Sequence, residues 1–162
     1  PPVTFNLAGP GMKASSSGGA FVAPAIQVNG SLVLGILNVT GIEAGTTTRT
    51  ITFTLSTIPA GSTGSFPVST GSDFFGYSVS IIQTSPPFCS TTKTYNSDAP
   101  SSGCINIIEW NTVTKVFRAT FNFTAHGVDC GTTCAGGPDC PTPTDTPSIT
   151  SGQVWVNYMQ SP

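Results

Sequence analysis

The segment Thr50-Ile51-Thr52-Phe53-Thr54-Leu55-Ser56 alternates hydroxyl and apolar residues without a break. Successive side chains of a strand point to opposite faces, so Ile51, Phe53 and Leu55 share one face and the threonines share the other. A helix would scatter both kinds around its axis. The same period of two recurs in Val3, Phe5 and Leu7 between Thr4 and Asn6, and again in 77–81, 104–110, 116–124 and 153–159. Residues 31–39 read as one long strand, with Gly35 marking a bulge. No long segment carries apolar residues at helical spacing. With 18 Gly and 14 Pro in short clusters between these runs, the expected fold is all-β: an antiparallel sandwich of jelly-roll or immunoglobulin-like type, with a β-barrel as the alternative.

A length of 162 residues suits one domain. Residues 1–11 read as an N-terminal extension, a strand at 3–7 followed by the hinge Ala8-Gly9-Pro10-Gly11. Residues 12–162 read as a single β domain. Within it, Asn111–Lys115 is a hairpin loop with a turn-forming Asn. Residues 129–151 form a long loop holding three cysteines and the run Pro141-Thr142-Pro143-Thr144-Asp145-Thr146-Pro147. Loops of that length are usually functional or tied down, and here the cysteines tie it.

Charge separates this chain from ordinary soluble domains. Only 7% of its residues are charged, with five Lys and Arg, seven Asp and Glu and a net charge of −2, against about 25% in typical domains. A polar surface must then be built from Ser, Thr, Asn and Gln. Such a surface repels its copies weakly, which suits surface layers, fibres and coats. Five scattered cations make no basic stripe, so nucleic acid is excluded as a partner. No apolar run reaches the ~18 residues of a membrane helix.

Five cysteines, Cys89, Cys104, Cys130, Cys134 and Cys140, imply disulfides and an oxidising, extracellular setting. A chain opening on Pro1-Pro2 reads as a processed form that has lost its export signal. Cys89 and Cys104 flank a Ser/Thr-rich loop and form the expected first pair. Two of Cys130, Cys134 and Cys140 form the second, leaving one free or bonded to another chain. A zinc site is the competing reading of the same loop. His126-x3-Cys130-x3-Cys134-x5-Cys140 is an allowed tetrahedral set, but exported thiols oxidise and the spacing matches no common zinc motif. No cofactor is expected.

Met12-Lys13-Ala14-Ser15-Ser16-Ser17-Gly18-Gly19-Ala20-Phe21 is a short strand, a glycine turn and an aromatic. It resembles the opening of a domain family of unknown function in secreted Bacteroidetes-type lipoproteins. Residues 105–110 with 119–125 resemble that family's late hairpin, with Ala119 in place of its usual glycine, and 149–156 its closing strand. The resemblance spans about residues 12–158. It implies an exported antiparallel β domain on a bacterial surface and carries no catalytic residues to transfer.

Other candidate sites have plainer readings beside them. His126, the only histidine, has Asp129 nearby but no nucleophile elbow. A glycosidase pair would have to come from Glu43, Asp73, Asp98, Glu109, Asp129, Asp139 and Asp145, and nothing selects two of them. Asp129, Asp139 and Asp145 share a loop without EF-hand spacing for calcium. Phe74, Phe75 and Tyr77 offer a sugar-stacking platform, though packing in the core is the favoured reading. Asn29, Asn38 and Asn122 begin glycosylation sequons, and Thr142, Thr144 and Thr146 are the better candidates for attached sugar.

These readings converge on a non-enzymatic structural subunit of an extracellular, pilus-like filament or surface assembly. Its partners would be copies of itself, joined by donor-strand addition with Val3, Phe5 and Leu7 as anchors. A secreted or lipid-anchored module binding carbohydrate or another ligand is the rival.

Overall fold

The computed structural model describes residues 4–68, 72–86, 88–97, 102–134 and 140–161. Thirteen strands are present among them: β1 (Gly11–Ser16), β2 (Gly19–Pro24), β3 (Val28–Val33), β4 (Ile36–Glu43), β5 (Thr47–Leu55), β6 (Gly64–Pro67), β7 (Phe74–Ile82), β8 (Ser90–Asn96), β9 (Ser102–Asn111), β10 (Val116–Thr124), β11 (His126–Thr132), β12 (Ser148–Asn157) and β13 (Met159–Gln160). They form two sheets, β2-β1-β12-β10-β9-β6 and β11-β8-β7-β5-β4-β3-β13. Every pairing is antiparallel except β13 with β3. The sheets pack as an open sandwich, not a closed barrel.

The core lies between the sheets and is led by aromatics. Phe53 and Phe75 from the second sheet meet Phe117, Phe121 and Phe123 from the first. Phe75 and Phe123 stack at 4.6 Å, and Trp110 meets Phe117 edge-on at 5.5 Å. Rings at these separations add a geometric preference to their large burial.

The long strand expected at 31–39 is instead a hairpin. Leu34 and Gly35 have φ of 51° and 82°. Two consecutive left-handed residues make the tight turn that matches strand twist. Val28 and Leu32 are buried before this turn, and Leu37 and Val39 after it. Those two sets have opposite parity, and the reversal at Leu34-Gly35 puts both inside. A bulge does the same in β9: Arg118 faces Glu109 but Ala119 faces Ile107, so Ile107 and Trp110 both reach the core. The hairpin loop after Asn111 forms as expected. Its carboxamide oxygen accepts the Val113 and Thr114 N–H groups, each at 2.9 Å.

Asp73 is buried and ties the end of β5 to the start of β7. It accepts the N–H of Ser56 at 2.5 Å and of Thr57 at 3.0 Å, and both hydroxyls. Burial alone would raise its pKa. The hydrogen bonds outweigh it and hold the carboxyl below its usual 3.8.

Candidate functional site

The described part of the expected donor strand, Thr4–Leu7, belongs to no sheet. Val3 lies outside the described residues. Phe5 and Leu7 are half-buried, with exposed Thr4, Asn6 and Ala8 between and after them. The segment lies over the outer face of the first sheet. The Asn6 N–H donates to Gln153 Oε1 at 2.7 Å, Lys13 Nζ donates to Asn6 Oδ1, and the Phe5 ring sits 5.6 Å from the Arg118 guanidinium. Arg118 also covers Trp155 at 5.2 Å and pairs with Glu109 at 2.8 Å. Thr120 and Gln153 are direct cross-strand partners on the face opposite Ala119 and Val154, yet both are buried. Gln153 is covered by this segment.

Sheet edges expose main-chain groups that will pair with any strand reaching them. On the first sheet, β6 is four residues long and ends at Pro67. At the other edge, β2 is met by side chains of the second sheet. The Val22 N–H donates to Glu43 Oε2 at 2.7 Å, and Arg49 donates to the Ala20 and Gly19 carbonyls. Glu43 and Arg49 are cross-strand partners and form an ion pair. Arg49 also lies 5.9 Å from the Phe21 ring. On the second sheet, the Pro/Thr loop folds over the β11 edge. The Ala125 N–H bonds to the Pro147 carbonyl at 3.0 Å, and a Cβ at Gly127 would overlap the Pro143 carbonyl oxygen. The last edge is β3, where β13 covers only Ser31 and Leu32.

The disulfides correct the expected Cys89–Cys104 pair, while the second forms within the loop between two of its three cysteines. Cys89 bonds to Cys134 and Cys130 to Cys140, each with Cα atoms 5.4 Å apart, and Cys104 is the free cysteine. Cys89 cannot reach Cys104 because the chain crosses between sheets in that interval: β8 belongs to the second sheet and β9 to the first. The β8–β11 ladder instead aligns Thr91 with Thr132, and the Thr133 N–H bonds to the Ser90 carbonyl, which delivers Cys134 to Cys89. All three thiols of the zinc reading, Cys130, Cys134 and Cys140, are therefore consumed, leaving His126 at the start of β11. The long loop is also shorter than expected, because β11 runs to Thr132 and β12 begins at Ser148.

At the same end of the second sheet a cleft of about 470 Å³ opens. It lies between the β1–β2 turn (Ser17, Gly18) and the loop at Asp145 and Pro147. Its floor continues the inward-facing rows of β5, β7 and β8 with Thr47, Arg49, Val79, Ile81 and Lys93, above Tyr77 and Tyr95. The Tyr95 hydroxyl donates to Asp145 at 3.1 and 3.3 Å. Its pKa is pushed up to about 12, first by burial, then by this hydrogen bond and the carboxylate charge.

Of the proposed sugar platform, Phe75 and Tyr77 are buried and Phe74 is half-buried, so the first two serve the core. Asp129 is exposed on β11, Asp145 is engaged by Tyr95, and Asp98 and Asp139 lie outside the described residues. Among the described residues no group of three His, Cys, Asp or Glu gathers for a metal. Asn29, Asn38 and Asn122 are exposed on strands, and Thr142, Thr144 and Thr146 are exposed along a loop whose Pro147 is buried. Among the described residues no helix is long and apolar enough to cross a membrane, and two disulfides are compatible with an extracellular protein. The sequence reading missed the Glu43–Arg49 clamp and the cleft, whose members come from four separated strands and two loops. No protein-family model, curated protein or solved structure matches this chain.

Proposed function

We propose that this chain is a non-catalytic building subunit of an extracellular surface or filament assembly, joined to its copies by β-strand addition at the β3 edge. The unequal treatment of the four edges carries this reading. β6 is short, β2 is capped by Glu43 and Arg49, and β11 is folded under its loop. The β3 edge has only a two-residue parallel cover. The Leu32 carbonyl accepts the Ser161 N–H at 3.0 Å. By strand periodicity Gly30 presents its main chain on the same side, while the Val28 N–H is already held by the Ala25 carbonyl. The donor is the N-terminal segment with Val3, Phe5 and Leu7 as anchors, and its described part from Thr4 on is held over its own first sheet chiefly through Asn6 and Phe5. The low charge of the surface favours close contact between copies.

Electron microscopy and light scattering of the full chain, and of a chain lacking residues 1–7, test this. The full chain should assemble and the truncated one should stay monomeric. A synthetic peptide of residues 1–8 should then shift the amide resonances of Val28–Leu32 in the truncated protein. Monodisperse monomers from the full chain at high concentration, or peptide shifts confined to the outer face of the first sheet, would overturn it.

A further inference from the structure

The cleft at the disulfide end departs from the pattern of the sandwich around it. In the middle of the molecule the inward rows of the second sheet are apolar: Ile51 and Phe53 on β5, Phe75 on β7. Toward the disulfide end the same rows turn to Arg49 and Thr47 on β5, and β8 follows Tyr95 with Lys93. Core-face positions that break an otherwise consistent pattern mark function more often than defect.

Charge is also concentrated here. The chain has twelve charged side chains, five basic and seven acidic. Arg49, Lys93, Glu43 and Asp145 line this one cleft. Two positive and two negative groups cancel, so the cleft favours neither anions nor cations. Arg49 and Glu43 are spent on each other and on the edge of β2, which makes that wall rigid. Lys93 is exposed and makes no ion pair or hydrogen bond among the described residues. Asp145 is exposed and has carboxylate lone pairs beyond those facing Tyr95. Among these polar groups the floor carries an apolar strip on β7, with Val79 half-buried and Ile81 52% exposed.

We propose that this cleft binds a neutral oligosaccharide. A sugar ring offers an apolar C–H face for Val79 and Ile81, and paired hydroxyls that both donate and accept. The Lys93 ammonium supplies donors, the Asp145 carboxylate acceptors, and the Ser17 and Thr47 hydroxyls either. The volume lies within the roughly 300–1,000 Å³ of small-molecule sites. The site is independent of the β3 edge, so failure of one reading leaves the other standing.

The test is titration of the full chain with maltohexaose, cellohexaose, laminarihexaose and mannohexaose, with hexagalacturonate as the anionic control and 1-hexanol as the apolar one. Calorimetry gives affinity and amide resonances give location. At least one neutral hexasaccharide should bind, with shifts centred on Thr47, Val79 and Ile81. Lys93→Ala, at an exposed position that leaves the core untouched, should weaken it about tenfold or more, the effect of losing a hydrogen bond to a charged group. Asp145→Asn should do the same while leaving the melting temperature nearly unchanged. Absence of binding by all four, tighter binding of hexagalacturonate or 1-hexanol, or shifts on another face untouched by Lys93→Ala would each overturn the proposal.

Discussion

The outer faces of the two sheets meet solvent in opposite ways. The first sheet carries Arg118, Glu109 and Trp155 outward, and the chain lays Phe5 and Asn6 across them. The second sheet presents hydroxyls and carboxamides: Asn38 and Thr40 on β4, Thr52 and Thr54 on β5, Ser80 on β7, Thr92 on β8. These bond to one another across strands, Thr40 with Thr52 at 3.2 Å, Thr54 to Asn38 at 2.8 Å and Thr92 to Ser80 at 3.0 Å. A face that satisfies its own polar groups laterally and has β-branched side chains needs no cover. An aromatic face with a lone guanidinium gains from one. The difference teaches that two sheet faces of one charge-poor chain can be finished differently, one by a covering segment and one by lateral hydrogen bonds.

That contrast can be broken from either side. The largest effect should come from the brace that the uncovered sheet depends on. Replacing both Cys89 and Cys134 by Ser removes a cross-link between residues 45 apart in sequence, and should cost about 4 kcal/mol in the chain-entropy picture. Guanidinium unfolding of the double variant measures it, and a loss below about 1 kcal/mol would mean that the β8–β11 ladder holds by itself. On the covered face, Arg118→Ala takes the cation from between Phe5 and Trp155 and from Glu109. Summing weak, partly exposed contacts gives about 1–2 kcal/mol. The same variant should also speed amide exchange at Asn6, which is read by nuclear magnetic resonance. The smallest effect belongs to the bare face: Thr52→Val should stay within about 0.5 kcal/mol in thermal unfolding. A larger loss would show that the cross-strand hydroxyl network contributes as a unit.

Much of the architecture was legible because period-two alternation needs no tertiary information. β5, β7, β9, β10 and β12 lie where the alternating runs lie. The signal failed where parity shifts. Gly35 reads as a bulge within one strand because a bulge and a tight turn both bring Leu32 and Leu37, five apart, to one face, and alternation alone does not separate the two. It failed also for β8 and β11. Ser90–Asn96 offers only Tyr95 to the core, and His126–Thr132 is an edge whose residues are half-exposed or exposed. Strands that bury little leave little pattern. Of the candidate sites, the exposure of Thr142, Thr144 and Thr146 could be guessed from composition, whereas the clamp and the cleft could not.

By itself the sequence determined that this chain makes sheets, that their faces are apolar within and hydroxylated without, and that oxidised cysteines belong to it. Those are local properties: side-chain alternation, β-branching and thiol chemistry act within a few residues. Only the tertiary structure decided which cysteines meet, which edge is left nearly bare, and where charge collects. Each of those depends on which strands become neighbours, and that is settled by the packing of Phe53, Phe75, Phe121 and Phe123 across the core. No residue carries that information within its own segment.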